Sequence, residues 1–277
     1  MNFEPGISRQ TGILVAPEQV SRRAFFGISA LLFIVSAAVT VLWCNSMSAM
    51  RGMRMPGDWT MSMAWMRMPG QTWAVATTSF VGMWVVMMVA MMLPSLAPTL
   101  WRFHQSVGRA RETLRGRLTA LVGLGYFFVW TLFGLAVFPV GVAAAAIEMK
   151  QPALARAVPV ATGFVVLIAG ALQFTKWKAH HLAWCREAPG PDCVLPTHAG
   201  AAWRLGLHFG VRCGLSCANL TAILLVFGVM DLRAMPFATA AITAERLAPA
   251  GEHVARAIGV VVVGTGLVLI VRAVRLA

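Results

Sequence analysis

The sequence predicts an all-α, polytopic helical membrane protein of about six transmembrane helices. Hydrophobic residues make up 58% of the chain and charged residues only 12%. The charges cluster between long apolar runs, and a run of twenty residues crosses about 30 Å of hydrocarbon at about 1.5 Å per residue. Lipid offers the backbone no hydrogen-bond partners, so helices that satisfy themselves follow.

Residues 1–23 read as a polar cytosolic leader, loosely attached. Ala24–Trp43 is uncharged over twenty residues. It starts late for a signal peptide and lacks a small-residue cleavage site, so 24–44 is predicted to be an uncleaved first span, with Cys44 an interfacial residue. Residues 45–72 form a Met-rich extracytoplasmic loop, and 73–275 one helical membrane domain of metal-binding type. Within it, Trp73–Trp101 and Leu118–Ile147 are long enough to tilt or kink. Ala157–Thr175, Cys213–Met230 and Ala257–Val271 complete the six, the last flanked by Arg256 and Arg272, which reach the interfaces by snorkelling. Ala234–Ala244 is too short to span and reads as an interfacial or re-entrant helix. A seventh crossing is the alternative, and it would move the C-terminus to the other side.

The formal charge of +13 invites a nucleic-acid reading, but its distribution explains it otherwise. In the six-span arrangement with the N-terminus inside, fourteen Lys and Arg face inward, Lys176, Lys178, Arg272 and Arg275 among them. Eight face outward, including Arg51, Arg233, Arg246 and Arg256. That is the positive-inside bias of a multi-pass inner (plasma) membrane protein with a cytoplasmic N-terminus. The partner it implies is the lipid bilayer, not nucleic acid.

Met-Arg-Met-Pro-Gly occurs twice, at Met53–Gly57 and Met66–Gly70. Around it stand eight methionines, Met47, Met50, Met53, Met55, Met61, Met63, Met66 and Met68. Thioethers are soft ligands suited to Cu(I), and a Pro- and Gly-punctuated loop is expected to have no core for them to fill. In the second span, Met83, Met87 and Met91 recur at i, i+4, i+8 and share a face, with Met88 and Met92 on an adjacent one. The plain alternative is that methionine fills gaps in packed helices.

His181 with Cys185, and Cys213 with Cys217, are both spaced i, i+4, so each pair points one way if helical. The first lies beyond the fourth span and the second at the start of the fifth, which predicts a meeting at the cytosolic face. Such a set is acceptable to Zn(II) and, in part, to Cu(I); with the methionines counted, copper(I) is the expected ion of the chain and zinc a possible one. His180, Cys193, His198 and His208 are possible substitutes. A disulfide is disfavoured by a reducing cytosol, and simple packing of small cysteines between spans is the competing explanation.

Glu148, Asp231 and Glu245 lie near membrane depth. Glu245 beside Arg246, and Asp231 near Arg233, read as interfacial ion pairs, with a cation or proton site as the functional alternative. Asn219 reads as a bond to a neighbouring helix, and Gly123-Leu-Gly125 and Gly264-Thr-Gly266 as close-packing sites. No phosphate loop, Ser/His/Asp order or metalloprotease motif occurs, so the chain is not expected to be an enzyme.

The run Met83–Ser95 resembles the signature of the domain of unknown function 2182 family, described as predicted metal-binding integral membrane proteins. Gly170–Lys178 followed by His181–Cys185, Gly210–Cys217 running into Phe227–Met230, and Glu245-Arg246 are similar to it as well. The likeness covers roughly residues 70–275. His181 stands where the family usually has cysteine, Ser216 precedes Cys217 where a second cysteine is usual, and Ala218 takes a Trp position. The resemblance implies metal binding and supplies no mechanism.

Two functions fit these features. In one, the outer loop captures Cu(I), the second-span methionines relay it, and His181, Cys185, Cys213 and Cys217 receive it. In the other, the chain is a non-transporting assembly, storage or sensor subunit serving a copper protein partner.

Overall fold

A computed structural model describes residues 8–49, 52–57, 59–68, 70–107, 112–186 and 198–276, with backbone only at 8–18, 48, 49, 112, 184–186 and 276. Met50 and Cys193 fall outside these residues, as does the side chain of Cys185. The described chain is helical apart from one small hairpin: α1 (Ser8–Ala49), β1 (Met53–Met55), β2 (Trp59–Met61), α2 (Trp73–Ser106), α3 (Glu112–Lys150), α4 (Pro152–Leu172), α5 (Lys176–Arg186), α6 (Ala199–Phe227), α7 (Ala234–Leu247) and α8 (Gly251–Leu276). Six of these, α1, α2, α3, α4, α6 and α8, are long and apolar enough to cross a membrane. The all-α polytopic reading holds. α1 starts at Ser8, so much of the expected loose leader is a continuation of the first span.

Close approach of small residues sets the helix packing. A Cβ added to Gly125 of α3 would sit 2.7 Å from the Trp203 carbonyl, and one on Gly210 of α6 2.8 Å from Val129. Gly206, Gly210 and Gly214 recur at i, i+4, i+8 on α6, and they meet Gly125, Val129 and Phe133 in the same order. α3 and α6 are therefore parallel neighbours joined along a small-residue seam. Of the two expected glycine pairs, Gly125 and Gly266 pack closely, Gly123 makes ordinary contact, and Gly264 has nothing within 4 Å. Each pair spans i, i+2, which turns one member away from the partner helix.

α2 stays one helix through Pro94 and Pro98. Its Trp84 ring lies against Gly134, and its indole N–H donates to the Trp130 carbonyl at 2.8 Å. All five α2 methionines are buried in one core, which also holds Tyr126, Cys213 and Cys217.

The direction of α8 differs from the six-span expectation. Gly259 meets Gln173, Gly170 meets Val263, and Gly163 meets Ile270, so α8 runs antiparallel to α4. Arg272 then shares a cavity with Met47, Trp59 and the start of α4, at the hairpin end of the bundle, while Arg256 sits with Gln173 and Lys176 at the opposite end. Exchanging Arg272 and Arg275 for Arg256 narrows the basic excess of the N-terminal end without reversing it. The cause is α7, fourteen residues that return through the bundle from Asp231 at the hairpin end toward Gln173 at the other.

The Met-rich loop is not coreless. β1 and β2 pair antiparallel, Met53 opposite Met61 and Met55 opposite Trp59. Gly57, at φ 99°, makes the turn that only a residue without Cβ adopts freely. Trp59 donates to the Ala155 carbonyl at 2.8 Å, and Met55 and Met61 are buried against Ala145 and Ala155. The hairpin caps the ends of α3 and α4.

A buried thiol pair and its polar cradle

Cys213 and Cys217 sit near the middle of α6, not at its start. The sequence misplaces them because Arg204, His208 and Arg212 interrupt the apolar run, whereas the helix begins at Ala199. One helical turn of separation aims both thiols the same way, and their sulfurs lie 3.7 Å apart. Both are buried and unbridged; a disulfide would need about 2.05 Å.

Two donors converge on Cys213. The Tyr126 hydroxyl reaches its Sγ at 2.9 Å and the Arg246 Nη1 at 3.2 Å. The same Arg246 nitrogen donates to Ser95 Oγ at 2.9 Å. Ser95 stands one turn beyond Met91 on α2, so Arg246 ties α2 at that level to the thiol pair. A hydroxyl and a guanidinium aimed at one sulfur form the electrostatic surroundings that an anionic or metal-bound sulfur needs.

Behind the thiols lies a polar layer at 1–3% exposure. Lys178 Nζ pairs with Glu245 Oε2 at 2.7 Å, donates to the Ser216 carbonyl at 2.6 Å, and lies 3.4 Å from Asn219 Oδ1. Gln173 Nε2 donates to the other Glu245 oxygen at 2.7 Å. Asn219 donates to the Ala169 carbonyl at 3.1 Å, the interhelical bond expected of it. Burial of an ion pair is tolerable because the three ammonium protons and both carboxylate oxygens find partners. Two expectations are corrected here. Glu245 and Arg246 are not an interfacial pair: Glu245 engages Lys178 and Arg246 engages Cys213. Lys178 is not a cytosolic-face charge but part of the interior.

The remaining expected ligands are scattered. Among the described residues, no group of three His, Cys, Asp or Glu side chains could hold a metal. His181 is half-buried against the Trp177 ring, 4.6 Å between centroids. Burial, and then the neighbouring His180, hold its pKa below the usual histidine value. In the loop, Met53 is exposed, Met55 and Met61 are buried, and Met63, Met66 and Met68 are half-buried. Asp231 caps α7 by accepting from the amides of Arg233 and Ala234, at 2.7 and 3.2 Å.

Ser95, Gln173 and Lys178 lie inside the runs that carry the family resemblance, but sequence alone assigns them no role in a site, and Tyr126 falls outside those runs. Tyr126 carried a signal, being the single tyrosine of the chain and lying in the middle of a span. In comparison with known proteins, a family model described as "PpoB2: Copper chaperone" matches residues 81–269. No match is found among curated proteins or among solved structures.

Proposed function

The chain belongs to the PpoB2 copper chaperone family, and from that premise we propose that it holds Cu(I) inside the membrane between Cys213 and Cys217 and passes it to a copper protein. The observation that carries the reading is the pair of buried sulfurs 3.7 Å apart with Tyr126 and Arg246 directed at one of them. Metal–sulfur bonds of about 2.3 Å put two sulfurs about 3.8 Å apart at a tetrahedral angle and about 4.0 Å apart at a trigonal one. An ion that takes a further soft donor beside the two thiols thus fits with little movement of α6. The buried α2 methionines supply further soft donors in the same core.

Cu(I) suits this set better than zinc. Zinc sites take four N, S or O ligands, whereas two thiols beside thioethers match the softest first-row cation. Charge supports the same choice. One Cu(I) between two thiolates carries a net negative charge that Arg246 balances, and Lys178 with Glu245 adds none. Neutrality matters in a medium that penalises unbalanced charge. Binding displaces the thiol protons, so uptake is favoured by higher pH. The resemblance to the domain of unknown function 2182 family points to the same metal-binding membrane domain. Nothing in the cradle calls for catalysis, and the chain is proposed to move its cargo without covalent chemistry.

The purified full chain is expected to bind Cu(I) under anaerobic conditions and to lose about one equivalent when Cys213 and Cys217 are changed to Ser. An unchanged load in that variant sinks the reading. Saturable copper uptake into proteoliposomes, abolished by Met87→Leu with Met91→Leu, would turn it from delivery toward transport.

A further inference from the structure

Cys44, expected at the interface, is 1% exposed. Among its described residues α1 buries Ser36, Thr40 and Cys44, spaced i, i+4, i+8 and hence on one face. The two hydroxyls are spent on the helix itself, Ser36 donating to the Leu32 carbonyl and Thr40 to the Ser36 carbonyl, each at 2.7 Å. The thiol is the group on that face that reaches another element. Its Sγ lies 3.7 Å from Met230 Sδ, in the turn between α6 and α7. Met47, three residues beyond Cys44, lines a cavity of about 1300 Å³ together with Met230, Met61 and Met63. Cys44 and Met230 thus meet at the hairpin end, and Met47, Met61 and Met63 line the cavity that Met230 borders.

We propose that Cys44 Sγ and Met230 Sδ, with Met47 as third donor, form a second Cu(I) site that loads the buried thiol pair. The proposal deepens the copper-chaperone reading and rests on it for its cargo. The chemistry balances without oxidation or reduction. Cu(I) replaces the Cys44 thiol proton, which is released to water, and one thiolate with neutral thioethers makes an uncharged complex. On passage onward the Cys213 and Cys217 thiols give up two protons, one restoring the Cys44 thiol and the other leaving to water, and exchanging one thiolate for two favours the inner pair. Thioethers are the weaker ligands, which suits a site that must release its ion.

The test is anaerobic titration of the purified full chain with Cu(I) against a chromogenic Cu(I) chelator. Cys44→Ala combined with Met230→Leu is expected to lose about one equivalent and to slow filling of the remaining site. Met47→Leu with Met230→Leu, which conserves volume, should weaken the same equivalent if loss of Cys44 disturbs packing. Copper X-ray absorption on the Cys213→Ser, Cys217→Ser chain should show sulfur-only coordination. The proposal is overturned if Cys44→Ala with Met230→Leu keeps the full load and filling rate. It is equally overturned if Cys213→Ser with Cys217→Ser strips every copper. Should that last variant keep its full load while Cys44→Ala with Met230→Leu loses an equivalent, the second site stands and the reading of Cys213 and Cys217 falls.

Discussion

Replacing Arg246 with Gln removes the positive charge beside Cys213 while leaving an amide able to bond Ser95. The guanidinium lies 3.2 Å from the sulfur. Opposite unit charges at that spacing attract by about 5 kcal/mol at an effective dielectric near 20. Exchange against other hydrogen-bond partners reduces a charged bond to about 1.5–3 kcal/mol net. At about 1.4 kcal/mol per decade, Cu(I) affinity should fall about 10- to 150-fold. Arg246→Lys, which keeps the charge without the fork, should recover part of the loss. Competition with a calibrated Cu(I) chelator, on protein that remains monodisperse in detergent, measures both. An affinity unchanged in Arg246→Gln would refute the argument that this charge balances the copper–dithiolate.

Glu245→Gln strands the Lys178 ammonium at 1% exposure and should cost about 3–5 kcal/mol, read as a lowered thermal midpoint; adding Lys178→Met should restore most of it, and no restoration would deny the pair its structural role. Gly206→Val places a side chain where a Cβ already meets Gly125 Cα at 3.0 Å, so the α3–α6 seam should open and the protein aggregate on size exclusion; normal folding would show that the seam is not tightly set.

Much of this was legible in sequence because it depends on spacing along one helix. The methionines at 83, 87 and 91 and the cysteines at 213 and 217 share their faces as helical geometry requires. Depth was less legible. A hydropathy window ends a span at Arg212, but a helix anchored by glycines at 206, 210 and 214 carries exposed Arg204 and His208 without breaking, and this moved the thiols to the interior. The partner of Lys178 was invisible, since Glu245 lies on a different helix far along the chain and local pattern assigns lysine to a loop. Cys44 was misread for the same reason, because Met230 approaches it from the α6–α7 turn. The loop methionines misled through composition, as a short hairpin can build its own small core from Met55 and Met61.

The return helix α7 also constrains the order of events during synthesis. Glu245 and Arg246 enter the bundle side by side, and each charge costs about 2.5–3.5 kcal/mol at membrane depth if it arrives without a partner. Their partners Ser95, Gln173, Lys178 and Cys213 all precede them in the chain. When α7 emerges from the ribosome the residues that will receive both charges have already been made. Lys178 has the opposite problem, being made long before its carboxylate. The same cost favours keeping its ammonium at the water boundary until Glu245 is available to pair with it. Closing the polar cradle is therefore a late step of assembly, and the thiol pair acquires its guanidinium in the same stroke.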